Sequence, residues 1–218
     1  MRTLDGVTLP ETLPEILAPG RTALLVIDVQ NDFAHPDGHF PRAGTDLTLI
    51  ASRLPAMRRL IAGVRAAGAP VVHIHQSTLP DGASDSPAWL AFKTRSGRRP
   101  DYTLPGSWGA AALDGFEPAP GEPVVVKFRP DGFLGTGLEG LLRDRGIERL
   151  IVCGLFTEGC VESTVRAGSY RDFFVVVAGD AVASAVPELH EGSLRLMAAR
   201  YPVRTADEIL GALDQGRA

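Results

Sequence analysis

The sequence predicts an α/β fold, a three-layer α-β-α sandwich in which helices cover both faces of a mostly parallel sheet. Short β-branched runs alternate with amphipathic stretches along the chain. The runs are continuously apolar, which is typical of strands that are buried on both faces. A chain of 218 residues with 44% hydrophobic residues is also long enough to bury a large core within one domain.

Six apolar runs are predicted as strands. The first begins at Thr22 and ends in an acid, Asp28, whereas the third ends in a base, Lys127. The fourth leads through a glycine-containing turn to Cys160. The predicted strands cover residues 22–28, 70–75, 123–127, 149–154, 173–178 and, as a short last strand, 202–204.

Apolar side chains at helical spacing occupy the segments between most of these runs. In the first such segment Pro55 lies near the predicted start, where its missing N–H costs little, and Gly68 follows the end. The resulting order, β-α-β-β-α-β-α-β-α followed by the short last strand and its helix, is typical of a parallel sheet with crossover helices. The predicted helices cover residues 54–67, 137–145, 158–169, 187–200 and 206–213.

We predict a single domain over residues 1–218, with an N-terminal extension over 1–20 and a lid over 77–107. The lid region is irregular and rich in Ser, Pro, Gly, Asp and Arg. A connection of this length within a compact domain is usually functional or mobile, so we expect it to cover the site. The region also holds three arginines that we interpret as solvated or subunit-contact charges, namely Arg95, Arg98 and Arg99.

Composition and charge exclude several classes of protein. A net charge of -4 and a pI near 5.7 argue against binding nucleic acid through the overall field. Two cysteines can form neither a disulfide scaffold nor a four-thiolate zinc site. The apolar runs are far shorter than the roughly 18 residues of a membrane span, and the N-terminus carries no signal-peptide core. We therefore expect a cytoplasmic protein with no membrane partner and with both cysteines reduced.

Three reactive side chains follow predicted strands. Ligands of open parallel sheets bind beyond the carboxyl ends of the strands, where Asp28, Lys127 and Cys160 are expected to converge. Each alone has an ordinary explanation, as a turn cap, a solvated strand end or a small buried hydrophobe. Together they supply an acid/base, a charged orienter and a nucleophile. We expect the helix that follows to lower the pKa of the Cys160 thiol. The other members of each scarce pair, Lys93 and Cys153, are interpreted as incidental.

The segments around these residues resemble the isochorismatase-like cysteine hydrolases. The stretch from Ala23 to Phe33 is similar to the opening strand and loop of that family. Residues 127–138 are similar to its lysine loop, residues 154–164 to its nucleophile loop, and residues 179–197 to its last strand and helix. The resemblance covers roughly residues 20 to 213, with its motifs in the family's order. It implies the family's Rossmann-like topology.

The resemblance also implies a mechanism. Cys160 is the nucleophile that attacks an amide, carbamoyl or ureido carbonyl and forms a thioester. Asp28 moves the proton and activates water, and Lys127 holds both groups in register. The backbone N–H groups of Phe156 and Cys160 form the oxyanion hole, where each donor contributes roughly 3 kcal/mol. A cis peptide is implied between Leu155 and Phe156. Members with this set of residues are amidases in the broad sense and release ammonia or an amine.

The region after the second strand departs from the nicotinamide-cleaving relatives, whose metal site has the pattern Asp-x-His. Gln76 stands at the acid position and Thr78 at the first histidine position. His73 and His75 point to the same face of a strand, but no carboxylate follows at suitable spacing. We therefore expect no metal and no cofactor. A nicotinamidase-type deamidase remains an alternative.

Candidates for contacts with the substrate follow from their positions. Aromatic walls with few polar groups suit a small planar amide, and a guanidinium binds a carboxylate bidentately. Each aromatic has core packing as its alternative, and the arginine has a solvated loop charge as its own. The candidates are Phe33, Trp108, Arg129, Phe133 and Phe156.

Three other functions remain as alternatives. Gly135, Gly137 and Gly140 spell the dinucleotide fingerprint of an NAD(P)-binding oxidoreductase, but seven residues separate them from the preceding strand. A non-catalytic scaffold protein of the same family is the second alternative, but such a protein would not need all three reactive side chains. The third alternative is a redox thiol pair, but Cys153 and Cys160 do not have the spacing of such a pair.

We expect a small-molecule amide or ureido substrate and a homo-oligomer, either dimer or tetramer.

Overall fold

Six strands form one parallel sheet in the order β5-β4-β3-β6-β7-β8, and a separate antiparallel hairpin, β1-β2, begins the chain. A computed structural model describes residues 1–18, 20–95, 97 and 100–216. The strands are β1 Arg2–Leu4, β2 Val7–Leu9, β3 Thr22–Ile27, β4 Val71–Gln76, β5 Val124–Lys127, β6 Arg149–Leu155, β7 Phe174–Ala183 and β8 Val203–Arg204. The helices are α1 Leu13–Ile16, α2 Asn31–Ala34, α3 His39–Arg42, α4 Thr48–Ala66, α5 Pro87–Thr94, α6 Leu138–Asp144, α7 Glu162–Ser169, α8 Pro187–Ala198 and α9 Ala206–Gln215.

Hydrophobic cores lie on both faces of the sheet. Leu24 and Val26 of strand β3 pack on one face with residues of α4 and α9. Leu25 and Ile27 of the same strand pack on the other face with residues of α6, α7 and α8. Because successive side chains of a strand point to opposite faces, a strand covered on both sides must be apolar throughout. The predicted three-layer α/β fold class is confirmed.

The first long helix differs from its prediction. It begins at Thr48, so Pro55 lies inside the helix instead of near its start. The carboxylate of Asp46 accepts hydrogen bonds from the N–H and the hydroxyl of Thr48, at 2.8 and 2.6 Å. These bonds satisfy an N–H at the helix end that has no intrahelical partner, which favours the earlier start. The hairpin and the short helices α1, α2, α3 and α5 were not predicted.

The described part of the segment predicted as a lid contains helix α5 and, before it, a short 3-10 turn over Pro80–Gly82. The N-cap of α5 is Ser86, whose hydroxyl accepts a hydrogen bond from the N–H of Trp89. The far end of the segment is attached to the domain by Thr103, whose N–H donates to the carboxylate of Asp32 at 2.6 Å. Of the predicted arginine cluster, Arg98 and Arg99 lie outside the described residues. Among the described helices, none has the length and apolar character that a membrane crossing requires.

Candidate active site

Lys127 connects the ends of four neighbouring strands. It is the last residue of β5, and its ammonium donates to Asp28 Oδ2 at 2.8 Å. It also donates to Gln76 Oε1 at 3.0 Å and to Cys160 Sγ at 3.3 Å. An ammonium has three N–H donors, so these three acceptors use all of them. The carboxylate, ammonium and thiol that the sequence placed at separate strand ends therefore lie in one cluster.

Asp28 is completely buried and has a backbone conformation with a positive φ of 56° just after β3. Its Oδ1 has no hydrogen-bond partner among the residues that the structure describes. One carboxylate oxygen therefore holds Lys127 while the other is free to accept a proton.

Gly154, with a φ of 123°, allows the close approach of the neighbouring strand, because a Cβ there would lie 2.1 Å from the carbonyl oxygen of Ile27.

The cluster favours a neutral thiol beside a charged ammonium. Burial lowers the pKa of Lys127, but the attraction of Asp28 and Cys160 outweighs it and the pKa is raised. Burial and the nearby Asp28 carboxylate raise the pKa of Cys160 to about 12, against the opposing effect of Lys127. The expected lowering by the helix N-terminus is therefore wrong in direction. Desolvation and a neighbouring anion both disfavour the thiolate, and Lys127 opposes them only in part.

The turn that carries Cys160 is fixed from both sides. The peptide between Leu155 and Phe156 is cis, as expected. Thr157 Oγ1 lies 2.7 Å from Nδ1 of the buried His190. The hydroxyl of Thr164 donates to the carbonyl of Cys160 at 2.7 Å. The same hydroxyl accepts from an N–H of the lysine loop at 3.0 Å. These bonds couple the position of Cys160 to the loop that follows Lys127.

A cavity of about 760 Å³ opens beside Cys160. Phe33 and Phe156 line it, as predicted, and their rings pack edge to face with centroids 5.5 Å apart. Tyr102 of the lid segment packs against Phe33 in the same way, at 5.8 Å. Other residues of the wall are Phe40, Gly44, Thr45, Asp46, Gln76, Trp89, Phe92, Lys93, Arg95, Pro130, Glu158, Gly159, Ala185 and Val186. The described wall therefore combines six aromatic side chains with four charged ones.

Three predicted substrate contacts lie elsewhere, since the described part of the cavity wall does not include them. Phe133 is buried in the core on the face of α6 and α7, so its assignment to the pocket is corrected. Trp108 is 52% exposed and packs edge to face against His35. The guanidinium of Arg129 lies over the ring of Trp89, 5.1 Å from its centroid. Arg129 thus packs against helix α5, which carries Trp89.

Sequence analysis missed two polar residues of the cavity. Gln76 was considered only as a replaced metal ligand, yet it accepts a hydrogen bond from Lys127. Lys93 was interpreted as incidental, yet it is buried and lines the cavity. The sequence did contain a signal for Lys93, namely the scarcity of lysine. The chain has only two lysines, and the structure places both of them in the interior.

The two histidines of strand β4 contact a carboxylate and each other. His73 Nε2 lies 2.9 Å from a carboxylate oxygen of Glu122, and the rings of His73 and His75 are 6.2 Å apart. Burial, together with the charges of His73 and Lys127, lowers the pKa of His75 to about 4. Over the described ranges, no group of three or more His, Cys, Asp or Glu side chains is arranged to hold a metal ion.

The dinucleotide fingerprint and the second cysteine lie in ordinary structural positions. Gly135 belongs to the loop after β5, and Gly137 precedes the first residue of α6. Cys153 is fully buried in strand β6, among the side chains of the α4 and α9 face. Neither the fingerprint glycines nor Cys153 belongs to the described wall of the cavity.

A parallel α/β sheet with a thiol, a carboxylate and an ammonium at its carboxyl edge defines a class of cysteine hydrolase. The family model for the isochorismatase domain matches residues 22–208, and the chain belongs to this family. A ureidoacrylate amidohydrolase from Methylobacterium radiotolerans is 39% identical over 202 residues, covering 87% of this chain and 78% of the relative.

Solved structures agree on the fold. A cysteine hydrolase from Pseudomonas syringae pv. phaseolicola superimposes with a TM-score of 0.79 at 24% identity, covering 91% of this chain and 94% of the other. An N-carbamoylsarcosine amidase from Thermoplasma acidophilum gives a TM-score of 0.67 at 28% identity, with 86% and 97% covered. Because its identity to this chain is only 24%, the Pseudomonas structure shows similarity of the fold alone.

Proposed function

We propose that the protein is an amidohydrolase that cleaves a ureido or carbamoyl C–N bond with Cys160 as the nucleophile. The observation that carries this proposal is the ammonium of Lys127, which donates to both Asp28 and Cys160. A nucleophile held beside a base that is itself oriented by a third group is the arrangement that covalent catalysis requires. The ureidoacrylate amidohydrolases similar to this chain support the choice of a ureido bond.

The first half-reaction forms an acyl-enzyme. Asp28 Oδ1 takes the proton of the Cys160 thiol while Sγ attacks the carbonyl carbon. The C–N bond then breaks, and Asp28 returns the proton to the leaving nitrogen, so that ammonia or an amine departs. The raised pKa of the thiol makes this proton transfer necessary, because almost no thiolate exists beforehand at neutral pH.

The second half-reaction releases the acid. Asp28 accepts a proton from water, the oxygen attacks the acyl carbon, and the C–S bond breaks as the proton passes to Sγ. Lys127 remains charged throughout and keeps the carboxylate and sulfur together. The backbone N–H groups of Phe156 and Cys160 stabilise the oxyanion in both steps, each by roughly 3 kcal/mol.

The experiment that tests this proposal is an ammonia-release screen with and without a chelator. It includes ureidoacrylate, other ureido acids, carbamoyl amino acids, biuret, nicotinamide and simple carboxamides. Cys160→Ala is expected to abolish turnover of any substrate found, whereas the matched variant Cys153→Ala retains it because Cys153 lies in the core. Full turnover by Cys160→Ala would overturn the proposal.

We also propose a cytoplasmic homo-oligomer in which residues 77–107 act as a lid. The oligomer is supported by exposed apolar side chains on α8, with Leu189 52% and Leu196 58% exposed. The lid is supported by five side chains of this segment that line the cavity, namely Trp89, Phe92, Lys93, Arg95 and Tyr102. Light scattering at micromolar concentration tests the oligomer, and a monomer mass would contradict it.

A further inference from the structure

Lys93 forms a second buried ion pair in the same cavity. Its ammonium donates to Asp85 Oδ2 at 2.9 Å and to Thr78 Oγ1 at 3.2 Å. The side chains of Lys93 and Asp85 are each only 2% exposed. Lys93 nevertheless contributes to the wall of the cavity that contains Cys160. The cluster therefore belongs to the binding surface, although the hydrolytic mechanism does not use it.

The hydrogen bonds of Lys93 leave one donor unused. An ammonium has three N–H donors, and within the described part of the chain two of them have acceptors. The ammonium also lies 4.8 Å from the centroid of the Tyr102 ring, which forms part of the same wall. A buried donor without an acceptor costs free energy, and an anionic ligand in the cavity would satisfy it.

The local charge favours an anion at this point. Asp85 has two cations beside it, the ammonium of Lys93 and the guanidinium of Arg129, which approaches its Oδ1 to 3.9 Å. A single carboxylate neutralises only one of them. Lys93, Arg129 and Asp85 together carry one net positive charge beside a wall that also contains Asp46, Glu158 and Arg95. The Lys93 side chain is only 2% exposed, so its attraction for an anion is screened less than that of an exposed charge, whereas the Arg129 side chain is 26% exposed and contributes less.

We propose that Lys93 binds a carboxylate of the substrate, so that the enzyme selects ureido or carbamoyl compounds that carry an acid group. This inference rests on the proposed function. Sγ of Cys160 and the ammonium of Lys93 then define two ends of one binding site, in which the aromatic wall covers the substrate between them. Lys93 determines specificity, and Asp85 holds it in position.

The test measures binding and turnover separately. Titration calorimetry on the Cys160→Ala variant compares ureidoacrylate with its neutral methyl ester, before and after the additional change Lys93→Met. We expect Lys93→Met to weaken binding of the carboxylate by about 10- to 100-fold and to leave the ester nearly unaffected. Arg195→Met removes the same charge from the exposed face of α8 and serves as the matched control.

Two further variants separate binding from folding. Lys93→Met combined with Asp85→Asn removes both buried charges and so avoids leaving an unpaired carboxylate. Asp85→Asn alone retains the ammonium, and we expect it to keep the preference for the carboxylate. Equal weakening of both ligands in every variant would indicate a purely structural role and overturn the inference. So would equal affinity for acid and ester while Lys93 is intact.

Failure of the proposed function has a different signature. If the protein with Cys160 intact releases no ammonia from any compound of the screen, the hydrolytic proposal fails. The titration still decides whether Lys93 distinguishes the acid from the ester. If ammonia is released but Lys93→Met slows both compounds alike, the hydrolytic proposal stands and the role of Lys93 is refuted.

Discussion

Two buried lysine–aspartate pairs border the same cavity in different regions of the molecule. The sheet-edge pair joins Lys127 to Asp28 at 2.8 Å, between residues 99 positions apart. The lid pair joins Lys93 to Asp85 at 2.9 Å, between residues eight positions apart. Both pairs are almost completely shielded from solvent. The strength of the ion pair therefore does not separate the two regions.

The third contact of each ammonium separates them. Lys127 uses its remaining donors on Gln76 and on the sulfur of Cys160. Lys93 uses one on Thr78, and its third N–H has no hydrogen-bond acceptor among the described residues. Under the two proposals, similar ion pairs serve different tasks, because the first would hold the reacting groups and the second would offer a donor to a ligand. We expect variants at the sheet edge to affect every substrate and variants in the lid to affect the choice of substrate.

The largest effect is expected for Lys127→Met. The change leaves the buried Asp28 carboxylate uncompensated, which destabilises the fold by about 3–5 kcal/mol. We expect kcat to fall by at least about 10³-fold for acidic and neutral substrates alike, because the thiol and base lose their register. Steady-state kinetics and thermal unfolding measure both effects. The comparison breaks if Lys93→Met lowers kcat for a neutral amide as much as Lys127→Met does.

Gly154→Ala tests how far the sheet edge depends on close backbone packing. An added Cβ would lie 2.1 Å from the carbonyl oxygen of Ile27, at a φ that only glycine tolerates. We expect a loss of about 4 kcal/mol in the free energy of unfolding. The control is Gly192→Ala in α8, where no atom lies within 4 Å of the added Cβ. Similar denaturation midpoints for both variants would contradict the prediction.

The protonation state of Cys160 gives a pH-dependent prediction. Because its pKa is raised to about 12, the thiolate fraction rises about tenfold per pH unit across the whole neutral and alkaline range. We expect iodoacetamide to alkylate Cys160 with a rate that increases from pH 6 to pH 10 without a plateau, measured by mass spectrometry of the peptide. Cys160→Ala removes the signal. A plateau near pH 7 would point to a preformed thiolate.

Asp32→Asn is expected to have the smallest effect, confined to the lid side. The carboxylate of Asp32 accepts from the N–H of Thr103 at 2.6 Å and from the N–H of His39 at 3.1 Å. An amide nitrogen cannot accept one of these bonds, so the segment that carries Tyr102 loosens. We expect KM to rise by roughly tenfold with kcat nearly unchanged. Asp37→Asn, at an exposed position nearby, should alter neither constant.

The difference between Phe33 and Phe133 shows why predictions of the pocket were less accurate than those of the strands. Both aromatics lie a few residues after a strand that ends in a charged residue. Phe33 belongs to α2 and turns toward the cavity, whereas Phe133 turns into the core against Phe173. Local sequence gives the distance from a strand end, but the path of the loop decides which side of the sheet an aromatic ring covers.

The sequence by itself determined the order of the six sheet strands and of the long helices between them, because buried parallel strands must be apolar throughout and crossover helices must be amphipathic. It also placed Asp28, Lys127 and Cys160 at strand ends, which parallel topology brings to one edge. Only the tertiary structure decided the protonation of Cys160, since desolvation depends on every neighbour at once. It alone also placed Lys93 in the cavity wall, because the burial of a side chain on helix α5 depends on how that helix packs against the rest of the domain.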